Sequence, residues 1–168
     1  MAGVVQTLTL DGLTDWARDT GRNFATIDFT RPLKVVKLIV VADIRENFAG
    51  SHAPDGTPWA PLRWRDGQPL RDRGLLMAAS TAQAQETLGQ FELILSNVLD
   101  YAATHQYGRD VPEKRRAKPW VFQGRDGRTI FTRRIKAHRI PARPFMGISE
   151  RAQGLIVTTF REFVEGKL

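Results

Sequence analysis

The run Ile140-Pro-Ala-Arg-Pro-Phe-Met-Gly147 restricts the backbone of this chain more than any other stretch of it. Pro141 and Pro144 fix φ at two points and push the residue before each of them into extended geometry. Phe145 and Met146 then supply apolar bulk, and Gly147 permits a turn. Two compatible readings follow. In one, the run is an edge strand that feeds the next element and buries Phe145. In the other, Arg143 is held rigidly towards a partner. Two residues before Phe145, Arg143 falls on the same side of an extended segment. It then has to reach out along its aliphatic stem or pair with an acid, as on a neighbouring subunit.

Three earlier segments also read as packing or turn devices: Phe48 to Leu62, Leu70 to Ser80, and Tyr101 to Gly108. The first opens a long loop, residues 51–69, which holds Pro54, Pro58, Pro61 and Pro69. Asp55-Gly56 and Asp66-Gly67 mark turns within it. A loop of this length is functional or is pinned by its own aromatics. Trp59, between prolines, is read as a core plug. Trp64, between Arg63 and Arg65, is read as an interface contact, where tryptophan is enriched.

Periodicity gives the remaining elements. Val4 to Leu10 alternates, as in a short strand or ordered arm. Leu13 to Phe24 is weakly helical. Thr30-Arg-Pro reads as a helix start, with Thr30 as cap and Pro32 in the first turn. That helix runs from about Arg31 to Ala49, with Leu33, Val36, Ile39, Val40, Ile44 and Phe48 on one stripe and Gly50 as its stop. Leu70 to Ala79 is predicted as a short helix with Leu70, Leu75 and Leu76 inward. A hairpin follows, residues 81–87 and 90–97, turning near Leu88-Gly89, with Phe91, Leu93 and Leu95 on one face. Tyr101 to Tyr107 is a helical turn stopped by Gly108. Pro112 to Pro119 lacks periodicity and is predicted as a mobile loop. Residues 121–122 and 129–131 flank Gly-Arg-Asp-Gly as a hairpin, with pairing extending towards Ile135. Ser149 caps a final helix, about Glu150 to Glu165, with Leu155, Ile156, Thr159, Phe160, Phe163 and Val164 on its apolar face. The class is α+β: a small antiparallel sheet with hairpins, packed by one long and one C-terminal helix, in a single domain over 1–168.

Charge narrows the partner. The net charge is +7, and from Arg109 to Arg143 there are 12 Lys or Arg against Asp110, Glu113 and Asp126, a local balance of +9. The rest of the chain therefore sums to −2. Trp120, Phe122 and Phe131 interleave with Arg125, Arg128, Arg133, Arg134, Lys136 and Arg139. A basic hairpin at about 109–140 of this kind is a solvated surface, a ribbon for nucleic-acid backbone, or an arm for an acidic protein. No base-reading motif accompanies it, so DNA contact is expected to be non-specific.

Chemistry finds little purchase. The chain has no cysteine, hence neither disulfide nor thiolate metal site. His52, His105 and His138 lie in separate segments without metal-ligand spacing, and no nucleophile elbow, Walker A or Rossmann glycine pattern occurs. No enzyme, metal or cofactor is expected. The longest apolar run, Leu38 to Ala42, falls far short of the about 20 residues that span a bilayer. No signal peptide is read at the N-terminus. The expected setting is the cytoplasm, or a particle assembled there.

The four segments in order resemble the phage virion morphogenesis family, which includes tail-completion S-like proteins and the G protein of phage Mu. The resemblance rests on Gly56, Trp59, Pro61 and Leu62; on Leu70, Gly74 and Leu76; on Tyr101, Ala102, His105 and Gly108; and on Ile140 through Gly147, with Pro141, Pro144 and Phe145 at its centre. It covers roughly residues 30–165. It implies a structural protein of the neck or tail end that completes or terminates the tail and helps join it to the head. Its partners would be itself in a ring around the DNA channel, a hexamer for preference, and the tail-tube and head-tail connector proteins. The reading from another class is a sequence-nonspecific DNA-binding module in phage replication or packaging.

Overall fold

The computed structural model describes residues 3–9, 15, 28–63, 66–87, 90–124 and 126–166. The expected weak helix at Leu13 to Phe24, the turn at Leu88-Gly89, Trp64 and Arg125 therefore lie essentially outside the described residues.

Three antiparallel strands form the main sheet in the order β1-β3-β2: β1 (Val4–Thr9), β2 (Ser80–Thr87) and β3 (Gln90–Asn97). The β2–β3 register runs from Ser80 opposite Asn97 to Thr87 opposite Gln90. Along β3 the period-two pattern works as read: Phe91, Leu93 and Leu95 are buried on one face. That face packs against two helices, α1 (Thr30–Gly50) and α4 (Glu150–Val164). A short helix α2 (Leu75–Ala78) leads into β2, and α3 (Ala102–Tyr107) follows β3. Strands β4 (Arg109–Val111), β5 (Lys114–Gln123), β6 (Thr129–Ile135) and β7 (His138–Ile140) make a separate ribbon. The fold is α+β.

Helix α1 is the spine of the core. Val36, Val40, Ile44 and Phe48 are fully buried along one stripe, at the four-residue steps that place side chains on one face. An aromatic cluster closes each end. At the start, Phe29 meets Phe91 edge-on at 5.0 Å, and Phe91 lies 4.9 Å from Phe160 of α4. At the end, Phe48 meets Trp59 at 5.6 Å and Phe145 at 5.4 Å. The start differs from the sequence expectation. Thr30 is the first helical residue, not the cap, and the Asp28 carboxylate accepts its N–H at 2.9 Å. Hydrogen bonds from Thr30 hold that carboxyl below its ordinary range. Gly50 does not stop the helix either. Ser51 takes the left-handed conformation, φ 54°. Gly50 is small because the His52 ring lies over it, where a Cβ would come within 2.3 Å of Cδ2.

Three further expectations are corrected. Residues 70–74 are not helical: Leu70 has φ 61° and Gly74 φ 72°, so only Leu75–Ala78 coils. Leu76 is buried as expected, but Leu75 turns outward. On α4, Ser149 caps the helix as read, accepting from the Ala152 N–H, while Leu155 faces solvent. The segment read as a mobile loop, 112–119, is largely strand: β5 begins at Lys114 and pairs with β6.

Candidate assembly interface

Buried side chains that address the backbone lock the closing segment into the core. Phe145 is fully buried. Gln106, buried on α3, accepts from the N–H groups of Phe145 and Met146 at 3.0 and 3.1 Å and donates to the Met146 carbonyl at 3.0 Å. Asn47 of α1 donates to the Phe145 carbonyl at 3.4 Å, and the Trp59 indole donates to the Pro144 carbonyl at 2.8 Å. Asp43 accepts from the Ser149 N–H at 2.9 Å and from its hydroxyl. The segment needs no ladder partner here because these side chains satisfy its backbone groups. Gly147 lies against Pro54, too close for a side chain, and a Cβ on Gly108 (φ 75°) would meet the Ala142 backbone nitrogen at 2.9 Å.

Arg143 corrects the sequence reading. It is buried, and its guanidinium donates to the carbonyls of Ala60 at 2.8 Å and Pro61 at 3.1 Å, on the long loop. Among the described residues no carboxylate pairs with it. It is thus a latch between two parts of its own chain rather than a hand extended to a partner. Burial pushes its pKa below the ordinary value. His105 lies beside it, with Tyr101 edge-on to its ring at 5.9 Å. Burial, and then the nearby Arg143 charge, lower the His105 pKa, and among the described residues its buried Nδ1 has no hydrogen-bond partner.

The basic segment is a ribbon that stands off the body. β4 pairs with β7, Arg109 opposite Ile140, and the same register resumes at Lys114 opposite Ile135 and Arg115 opposite Arg134. Beyond Arg115 it shifts, and Trp120 faces Thr132. The irregularity holds Pro119, which has no N–H to give a ladder. Arg115 and Arg134 face each other directly, an arrangement that repels. Glu113 neutralises it, bonding Arg115 at 2.9 Å and Arg134 at 2.7 Å, and those bonds lower its pKa, with Arg134 the larger cause. Arg128 pairs with Asp126 and Arg139 with Asp110, each at 3.4 Å. Arg116 covers the Trp120 ring at 5.1 Å. Arg133 and Lys136 are exposed, and among the described residues no carboxylate pairs with them.

Near the tip the ribbon is apolar on both faces. Trp120, Phe122 and Ile130 share one face; Val121 and Phe131 share the other. Val121 is 59% exposed, Phe122 47%, Ile130 39% and Phe131 67%. Sequence reasoning found the arm residues through their charge and missed Asp43, Asn47 and Gln106. The available signal was polar residues set among apolar core positions: Asp43 and Asn47 one turn apart on α1, and Gln106 just before the Tyr107-Gly108 stop.

The chain belongs to the phage virion morphogenesis family, whose model matches residues 8–165. No curated protein and no solved structure matches it. Membership gives the protein a structural role in building the phage particle and associates it with the virion. Among the described residues, no helix is long and apolar enough to cross a membrane.

Proposed function

We propose that this protein completes or terminates the phage tail and helps join it to the head, as a ring around the DNA channel, with six copies the favoured count. The observation that carries this reading is the arm: a ribbon with a basic stem and a two-faced apolar tip, on a body whose closing segment is fully occupied in holding itself together. The tail tube and the head-tail connector are the partners it would join at the neck. Purified protein mixed with purified tail tubes, followed by light scattering and electron microscopy, tests the proposal. Rings at tube ends are expected. A chain that stays monomeric and never decorates a tube end would sink it.

The second reading, a sequence-nonspecific DNA-binding module in replication or packaging, is favoured by the stem. Lys114, Lys118, Arg133 and Lys136 are exposed cations without an acid partner among the described residues. Duplex binding by the isolated monomer that weakens steeply with salt would support it. Arg133 and Lys136 would then also be the contacts to DNA in the channel.

A further inference from the structure

We propose that the groove between the long loop and β7 receives an extended acidic segment of another protein, which lies along the free edge of β7 and sets a carboxylate against Arg143. This goes beyond the assembly reading above. It concerns the root of the arm, not its apolar tip, and does not depend on ring formation.

Three observations carry it. The first is a charge that the chain leaves unmatched. Arg143 is buried, and a buried charge ordinarily has a counter-charge. Its guanidinium uses Nε on the Ala60 carbonyl and Nη2 on the Pro61 carbonyl. Both acceptors are neutral, and among the described residues Nη1 makes no bond. An incoming carboxylate supplies both the missing charge and the missing acceptor. The second is the groove itself, of about 530 Å³. Ala60, Pro61, Leu62, Ile140 and Pro141 give it apolar walls. Arg63, His138, Arg139 and Arg143 supply its polar side chains, and no acid lines it. Arg63 is exposed, and among the described residues no carboxylate pairs with it. Arg139 pairs with Asp110 at 3.4 Å in solvent, where such a pair contributes little. The charge selects an anion, and the apolar walls select one that carries side chains, hence a polypeptide over a phosphate backbone. Arg143 also lines a groove of about 460 Å³, but that one holds Asp72 as well as Arg73 and has no such bias. The third is the edge. β7 pairs with β4 on one side, and among the described residues no backbone hydrogen bond reaches its other side. An edge of this kind accepts an added strand, whose main-chain bonds give affinity while flanking side chains give specificity.

Replacing Arg143 would open the latch, so the test acts on exposed Arg63 instead. The probe is a short, end-blocked, dye-labelled peptide of alternating glutamate and valine, titrated into the full chain by fluorescence anisotropy. A matched peptide with proline in place of each valine keeps the charge but lacks the N–H groups that a strand needs. Saturable binding of the glutamate–valine peptide is expected, with slower hydrogen exchange within residues 138–140. Affinity should fall about tenfold with Arg63→Glu and about tenfold with the proline peptide. Phe131→Ser, at the arm tip, should bind as the parent does. Thermal unfolding of Arg63→Glu should match the parent, so that lost affinity reads the groove and not the fold. A glutamate–valine peptide that fails to bind, or binds Arg63→Glu equally well, overturns the proposal, and equal binding of the proline peptide overturns the strand along β7. A short DNA duplex that protects residues 138–140 where the peptide does not overturns it in favour of nucleic acid. Self-association that Arg63→Glu abolishes, with no peptide binding, overturns it in favour of a second copy.

Discussion

Phe145 and Phe131 lie in extended segments of similar composition, each with arginines and a second apolar residue close by, yet one is fully buried and the other two-thirds exposed. The difference lies in what satisfies the backbone. Around Phe145, Gln106, Asn47 and the Trp59 indole bond the main chain from three sides, so the segment is fixed without a neighbouring strand. Around Phe131, among the described residues, the main chain pairs only with its own hairpin partner, and neither face carries a layer above it. Outside the main sheet and its helices, Phe145 is held in the core by buried polar side chains that reach its backbone, and Phe131 has no such clamp.

The largest effect should come from Phe145→Ala. Deleting a buried Phe costs about 3–5 kcal/mol, against the roughly 5–15 kcal/mol that keeps a domain folded. Denaturant unfolding should show the loss; a change under about 1 kcal/mol would mean that the core does not depend on this ring. Next comes Gln106→Leu, which keeps bulk but strips partners from two amides and a carbonyl. Unmet buried groups cost about 1–3 kcal/mol each, so a total near the lower end is expected after relaxation. If this variant is as stable as the parent, the clip is ornamental and the comparison fails.

A smaller effect is pH-linked. His105 has a folded pKa below its ordinary value near 6.5, so the folded state favours the neutral ring. The unfolded chain binds the proton first. The contribution is therefore intact above that value and is lost as pH falls from it through the lower folded pKa. Thermal unfolding of wild type and His105→Gln across pH about 7 to 5 should show a shallower decline in the variant. Parallel curves would remove His105 from the account.

The smallest stability effect, with the largest consequence for assembly, belongs to the arm. Phe131→Ser, and separately Arg133→Glu with Arg134→Glu, should each move stability by only about 0.5 kcal/mol. Both should abolish the joining of heads to tails. Normal yields of infectious particles from either would make the arm a solvated surface and erase the distinction between the two regions.

What the sequence disclosed follows the same division. The long helix, the hairpin of β2 and β3, and the Ser149-capped helix were legible because burial imposes a period on residues that face a core. Lys114 to Pro119 was misread as a loop for the opposite reason: with no buried face, a strand has no alternation to display. The inward turn of Arg143 was hidden too. Its acceptors, the carbonyls of Ala60 and Pro61, lie over 80 positions away in the chain and carry no side-chain signature. Gln106 stands in a segment that reads only as a helical turn, and its bonds to Phe145 and Met146 become visible only when both are placed.

That clip also sets how the molecule bears load. The two strands of the arm enter the body separately, β4 from α3 through Gly108 and β7 into Pro141 and the Arg143 latch. Gln106 sits on the first root and grips Phe145 and Met146 on the second. A pull along the arm divides between two covalent tethers that are tied to each other inside the core. Both roots thus share one anchor, and separating them would require breaking the Gln106 bonds.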